Sequence, residues 1–427
     1  MAGHKTIQDL YPINSKCPRC SLCKFPPMVK VEKKEFSIIC PSYREYKFHS
    51  HSGGGRVVMA MAYFEGRGEL TEETRDAIFQ CTLCGGCDMA CKYSSDIEIL
   101  EMMYALRAES YKRLGPLPGQ REVLDRYDKV GHPIFEDGGK GDWLKDAGLK
   151  PGMNGSGTLL FIGDRYSILK GRRKTLLNLV ELLKRGDVQF GALGDDEPTT
   201  GRMALDIGDQ ERFDKYAKSA AEAIRRSRAT KVICADVEDL NALRAHIPKV
   251  EDLSGVEVVH SIDVLDGLIM RKKLKPKKRL DAKIAYHDPC SLGRLSEPFK
   301  PWNGQMKKIM GQLVIYDPPR PVNRGTLGCY EPPRRILNSI PGIELVEFYR
   351  RKEYAFCCGG EGMAYSAGYH DFVNNTALHR MEEARDVGAE MVATACPNCI
   401  SNLGWASDKV SIPVKDIIDL LAESVLG

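Results

Sequence analysis

Cys357-Cys358-Gly359-Gly360, followed by Cys396-Pro397-Asn398-Cys399, decides how this chain is read. Upstream lies His287-Asp288-Pro289-Cys290, so five thiols are on offer: Cys290, Cys357, Cys358, Cys396 and Cys399. Adjacent cysteines suit a single zinc ion poorly, because side chains from neighbouring Cα atoms reach one tetrahedral metal only awkwardly. An iron–sulfur core, with its irons several ångströms apart, can take both. Gly359 and Gly360 let the backbone approach such a core and offer N–H groups to its sulfides. The bland alternative, buried hydrophobic cysteines beside a flexible Gly-Gly turn, needs four separate features to coincide.

Eight more of the fifteen cysteines fall in two blocks. The first is Cys17-Pro18-Arg19-Cys20-Ser21-Leu22-Cys23, with Cys40-Pro41 after a spacer of sixteen residues. The second is Cys81-Thr82-Leu83-Cys84-Gly85-Gly86-Cys87, with Cys91 following. Three cysteines at this spacing place three thiolates around one face of a cubane, which is cluster arithmetic rather than a disulfide framework. Two four-thiol zinc knuckles are chemically possible, but the spacing favours clusters.

The pattern Cys…Cys-Cys-Gly…Cys-x-x-Cys resembles the cysteine-rich CCG domain of heterodisulfide reductases. The likeness extends over nearly the whole chain and is to the D-subunit type, a two-cluster ferredoxin module fused ahead of two CCG repeats. That resemblance implies a non-cubane [4Fe–4S] cluster on Cys290, Cys357, Cys358, Cys396 and Cys399. Two-cluster ferredoxins cross their ligands, the fourth cysteine of each block serving the other cluster. Carried over, one cubane [4Fe–4S] cluster takes Cys17, Cys20, Cys23 and Cys91, and the other takes Cys81, Cys84, Cys87 and Cys40. Two departures stand out: the long spacer before Cys40, and Lys92 where a proline usually follows the last cysteine. The spacer segment Met28–Ile39 reads as strand or hairpin.

Length and composition describe an ordinary globular protein of two or three domains: 427 residues, 43% hydrophobic and 28% charged. A net charge of +4 is too weak an excess to argue for nucleic acid or a membrane surface. The N-terminal sequence has no apolar signal core, and no stretch approaches the ~18 apolar residues of a membrane span. A cytoplasmic location in a reducing, anaerobic cell is expected.

The expected fold is α plus α/β, with the following divisions. Residues 1–114 form a helical ferredoxin module, with helices at Gly55–Phe64, Thr71–Phe79 and Ile97–Lys112. Thr71 is read as an N-cap without a capping box, since Thr74 stands three residues on. His49 and His51 read as solvated or structural. Residues 115–157, rich in Pro and Gly, read as a surface linker. Residues 158–270 and 282–427 read as a duplicated, pseudo-two-fold α/β unit with parallel sheets, joined by a basic linker at 271–281. In the first half, strands are expected at Leu159–Gly163, Val188–Leu193, Lys231–Ala235 and Val256–His260.

Aligning the halves puts Asp164, Thr199, Thr200, Asp236 and Asp239 on the five thiol positions of the second. Carboxylates and hydroxyls hold sulfide-bridged iron poorly, so the first half is expected to keep the fold and lack the cluster. Cys234 reads as a core thiol and Cys329 as a spare one. The second half carries an insertion at 295–328, either a partner-docking loop or a cover over the cluster.

No dinucleotide fingerprint or hydrolytic constellation is present, and no flavin or nicotinamide is expected on this chain. The redox chemistry would belong to the clusters, with the protein setting potential and access. The resemblance implies an electron-transfer subunit of a multi-subunit oxidoreductase, with electron-bifurcating assemblies such as class II benzoyl-CoA reductase complexes among the candidates. Its partner would be a flavin-containing protein like the A subunit of heterodisulfide reductase. The alternative is a catalytic reductase of a disulfide or heterodisulfide at the five-thiol site.

Overall fold

The computed structural model describes residues 3–310 and 313–427; the side chains of Lys308 and Leu313 lie outside the described set. Residues 3–114 carry helices and no strand. Helices Gly53–Phe64 and Ile99–Leu114 pack together, and Glu72–Phe79 lies against the second. The Thr71 hydroxyl accepts from the Thr74 N–H, and the Thr74 hydroxyl accepts in turn from the Thr71 N–H at 2.6 Å. A capping box is therefore present, contrary to the sequence expectation: a hydroxyl stands in for the usual glutamate. The spacer before Cys40 is also not a hairpin. It runs as two short 3₁₀ turns, Met28–Lys30 and Lys34–Phe36, the second anchored by buried Phe36.

Residues 115–157 are more ordered than a linker. Helix Pro118–Val130 begins with proline in its first turn and ends on Gly131 in the left-handed conformation. Its face Val123, Leu124 and Tyr127 packs on Ala204 and Ile207. A short helix, Asp142–Asp146, then buries Trp143 and Leu144 in the main core. The Pro and Gly residues that suggested a linker are helix stops between these elements.

Two parallel sheets follow. The first has β1 (Thr158–Phe161), β2 (Lys231–Cys234) and β3 (Glu257–His260) in that order. The expected strand at Val188–Leu193 is reduced to bridges, Gly191 pairing parallel with Leu159 on the free edge of β1. The second sheet contains β4 (Ala282–Tyr286); the insertion then supplies an antiparallel hairpin, β5 (Gln305–Ile309) and β6 (Leu313–Asp317). The sheet is completed by β7 (Ile343–Val346), β8 (Met391–Thr394) and β9 (Val414–Asp416), in the order β7-β4-β8-β9. Strands buried on both faces read as short apolar runs, as in Leu159-Leu160-Phe161 and Val232-Ile233-Cys234, which are 0–1% exposed. Cys234 is one of these core positions. No helix among the described residues is long and apolar enough to cross a membrane.

Trp143 is 1% exposed, so Trp143→Ala removes a filled core position. The substitution should cost about 3–5 kcal/mol. The melting temperature followed by near-ultraviolet circular dichroism should fall by roughly 10 °C. A surface linker would leave it unchanged.

Candidate iron–sulfur centres

The five thiols of the second half meet at the carboxyl edge of the parallel sheet, where open α/β folds place their ligand sites. β4 ends at Tyr286 and leads into His287–Cys290; β8 ends at Thr394 and leads into Cys396. Cys290, Cys357, Cys358, Cys396 and Cys399 are all at most 4% exposed. Cys396 caps helix Pro397–Val410, its sulfur accepting from the Cys399 N–H at 3.2 Å. The positive end of that helix therefore faces the sulfurs. Gly359 and Gly360 donate their N–H groups to the sulfurs of Cys357 and Cys358 at 3.3 and 3.4 Å. Gly359 has φ +95°, and a Cβ there would meet the Val373 carbonyl at 2.7 Å, so only glycine fits. Asn398 and Asn402 hold the carbonyls of Gly360 and Cys358.

The thiols also touch one another. Cys357 contacts Cys290, and Cys358 contacts Cys357 and Cys399. Donation from Cys357 and Cys399 pulls the Cys358 thiol down to about 6, against the effect of burial. Burial pushes the Cys396 thiol up. Converging, unpaired thiols are a donor set for soft iron, and no disulfide is present among them.

In the ferredoxin module the cysteines group as two sets. Cys91 is raised by burial first, then by the charges of Asp88, Cys23, Cys17 and Cys20. Cys87 is raised by burial first, then by Cys40, Cys81 and Cys84. Each outlying cysteine thus sits with the other block. The N-terminus of helix Gly53–Phe64 wedges between the sets. A Cβ on Gly53 would strike Cys87 at 2.8 Å, and Gly54 donates to the Cys23 sulfur at 3.2 Å. His51 bonds Gln80 at 2.7 Å and belongs to the scaffold. Cys20 is the exposed member, which puts the first set at the surface.

The second set abuts the five-thiol site. Cys84 packs with Cys357 in one buried cluster, and the Cys357 thiol together with burial raises it well above its usual value. Arg294, 2% exposed, lies between the two sets. It donates to the carbonyls of Cys84 (2.5 Å), Ala355 (2.6 Å) and Glu353 (3.1 Å). Its charged neighbours in the site would be the sulfurs of Cys84, Cys290 and Cys357 once these hold iron. A buried guanidinium bonded only to neutral carbonyls calls for an anionic neighbour, and thiolate-bound clusters supply one. The residues present therefore fit the groups that the sequence implies. Sequence reasoning singled out neither Arg294 nor the glycine wedge; the position of Arg294, four residues past Cys290, was the one legible signal.

The five corresponding positions of the first half also converge, but on one another. Thr199 donates to Asp164 and Thr200 to Asp239, each at 2.6 Å. Lys140, from the segment read as a linker, pairs with Asp164. Arg165 bonds Glu238 at 2.6 Å and lies 3.8 Å from Asp236. Burial raises Asp236 to about 6 and Asp239 well above the carboxylate range. The Cys329 thiol donates to Asp263 at 3.1 Å, on the first half. The insertion's Leu295 packs on Cys84, Cys290 and Cys357, while Arg320 pairs with Glu98 and Asp96 of the ferredoxin module. Its start covers the cysteines and its remainder fastens the two modules together.

Family comparison agrees with this architecture. A 4Fe-4S dicluster domain model matches residues 13–95, and a cysteine-rich CCG domain model matches residues 321–404. The chain is 30% identical over 370 residues to the D subunit of the dihydromethanophenazine:CoB–CoM heterodisulfide reductase of Methanosarcina acetivorans, covering 83% of this chain and 79% of that protein. It is 25% identical to a probable iron-sulfur-binding oxidoreductase of Bacillus subtilis, over 83% of this chain and 47% of that one. It is 24% identical to the EtfAB:quinone oxidoreductase of Syntrophomonas wolfei, over 81% and 46%. Fold and cysteine sets define an iron–sulfur oxidoreductase subunit with an electron-transfer role in a redox complex. The chain belongs to the D-subunit family of heterodisulfide reductases.

Replacing Thr199 and Thr200 together by alanine leaves the buried Asp239 and the half-buried Asp164 without their hydroxyl donors, at about 1–3 kcal/mol for the buried group. Thermal stability should drop while iron content and cluster spectra stay as they are. Loss of iron in this variant would show that the first half binds a cluster.

Proposed function

We propose that the chain is an electron relay with three clusters and that it ends at the five-thiol site. Cys17, Cys20, Cys23 and Cys91 would hold one cubane, and Cys40, Cys81, Cys84 and Cys87 the other. Cys290, Cys357, Cys358, Cys396 and Cys399 would hold the non-cubane cluster. Bound there, the clusters supply one-electron transfer. The chain's own residues set the order. Cys20 puts one end at the surface, and the Cys84–Cys357 contact joins the second cubane set to the buried end. That contact is the observation which carries the reading. Leu295 and Arg294 close the junction against water.

The halves read as a duplication with one site lost. In support, Gly191–β1–β2–β3 repeats the order β7-β4-β8-β9, and both sets of five residues follow the ends of equivalent strands. The domain divisions follow: 1–114, 158–270 and 282–427, with helix-bearing 115–157 between the first two. A flavin-containing partner, like the A subunit of heterodisulfide reductase, would exchange electrons at the Cys20 end, and a bifurcating complex of the benzoyl-CoA reductase type is one setting for this.

The second reading is catalysis on a disulfide, which the activity in the name of the Methanosarcina relative suggests. A cavity of about 430 Å³ reaches Arg294 and Leu295, yet no cysteine lines it. With one five-thiol set, and that set buried, relay is the better-supported role.

Three measurements test the relay. Anaerobic iron and sulfide analysis should give about twelve irons per chain for three four-iron clusters; near sixteen would place a cluster in the first half. Cys84→Ser should stop throughput in the intact complex while the unusual cluster still assembles, and unchanged turnover would take the second cubane off the path. Cys358→Ala should abolish that cluster's paramagnetic resonance signal or turn it into a cubane signal, with both ferredoxin signals intact.

A further inference from the structure

His287 stands at the five-thiol site without a role in the ligand set. A ring nitrogen of His287 and the sulfurs of Cys358 and Cys399 all lie within 4.8 Å of one another. The ring is 1% exposed. Nδ1 is engaged by Arg380, whose Nε approaches it at 3.1 Å, while Nε2 has no partner among the described residues.

The protonation of the ring follows from Arg380. A guanidinium stays protonated and can only donate. Nδ1 must therefore accept, and the ring proton sits on Nε2. Arg380 is itself fixed, 0% exposed, donating to Glu383 at 2.8 Å and to the Arg350 carbonyl at 3.0 Å. The pair Arg350–Glu383 behind it is buried too. The ring cannot turn to satisfy Nε2 elsewhere without breaking this chain of bonds. A buried N–H with no acceptor is rare and costly, and here it points to a sulfur acceptor.

We propose that His287 is a positioning residue of the five-thiol site: Arg380 locks its tautomer, and Nε2–H donates to a sulfur of the bound cluster. It is a donor and not a sixth ligand, because coordination would require the Nε2 lone pair that the proton occupies. This rests on the reading of the five thiols as a cluster site. A donor to cluster sulfur favours the reduced, more negative state, so His287 raises the potential of this cluster and leaves the two ferredoxin clusters alone.

The test uses the full chain, prepared anaerobically, as the parent and as His287→Leu, His287→Gln and His287→Asn. Iron content, redox titration by electron paramagnetic resonance, and electron–nuclear double resonance after exchange into deuterated water are read for each. The glutamine amide nitrogen can occupy the place of Nε2, and the asparagine nitrogen the place of Nδ1. In the parent, an exchangeable deuteron should couple to the unusual cluster. His287→Leu should lose that coupling and shift the midpoint downward, so that the reduced fraction ratio at fixed potential falls about tenfold, which for one electron is about 59 mV. His287→Gln should recover most of both signals, and His287→Asn should not. Unshifted potential in an assembled His287→Leu cluster would overturn the proposal. So would equal behaviour of the Gln and Asn variants, which decides the matter even where the Leu variant fails to assemble. A strong, directly bonded nitrogen coupling in the parent would make His287 a ligand instead. A parent with only two cubane signals would remove the five-thiol reading itself, an outcome distinct from these.

Discussion

The open loop Gln80–Cys84 has to be buried, and no helix or strand satisfies its carbonyls. Arginines do so instead. Arg56 donates to the carbonyl of Gln80 at 2.7 Å and Arg107 to that of Cys81 at 2.6 Å. Arg294 takes the carbonyl of Cys84. Each comes from a different place: the helix that wedges between the cysteine sets, the last helix of the ferredoxin module, and the residue just ahead of the insertion. Arg107 also reaches the carbonyls of Asp206 in the first half and Gly362 in the second, at 2.6 and 2.7 Å. One guanidinium thus ties all three parts to the loop that carries Cys81 and Cys84. An unpaired buried carbonyl would cost about 1–3 kcal/mol, so the loop can hold its thiols inward only while these arginines are in place.

The same arrangement sets the electrostatics. Anionic clusters need positive surroundings in a water-poor interior, and the chain supplies them by three routes: helix N-termini at Gly53 and Pro397, N–H groups of Gly54, Gly359 and Gly360, and the charge of Arg294. One carboxylate near the junction is matched by charge: Asp288 takes a bidentate pair from Arg334 at 2.7 and 3.0 Å. The Asp of the His-Asp-Pro-Cys run therefore fixes the backbone ahead of Cys290 and adds no free negative charge beside it.

Much of this was legible because thiol chemistry is rigid in sequence. Spacing marked the thiols that the structure brings together, and short apolar runs located β1 and β2. What escaped was structure defined by tertiary partners. Helix Pro118–Val130 hid behind flanking Pro and Gly, which mark helix ends as readily as linkers. The Val188–Leu193 run has strand composition, yet only Gly191 pairs with β1, since the backbone comes too close there for a side chain: a Cβ on Gly191 would collide with the Met153 backbone. Thr74 completes a capping box with a hydroxyl that the Glu/Gln rule does not anticipate. Arg107 and Arg294 act through carbonyls of loops distant in the chain, which leave no local pattern. His287 was visible as a residue, but its role depends on Arg380, ninety-three positions away.

In the first half, Asp164, Thr199, Thr200, Asp236 and Asp239 gather at a pocket without sulfur. These five polar side chains lie close together, so they must satisfy one another. Asp and Thr do this pairwise, but two carboxylates facing each other in a dry pocket repel, and burial has already raised Asp236 and Asp239. Lys140 and Arg165 relieve the repulsion, and Lys140 reaches in from the segment after the ferredoxin module. Glu238 is then shared, held by Arg165 on one side and by Asn398 of the Cys396–Cys399 loop at 3.1 Å on the other. The polar network that fills the first site is therefore also a wall of the second. That network is thus a scaffold against which the five thiols are held.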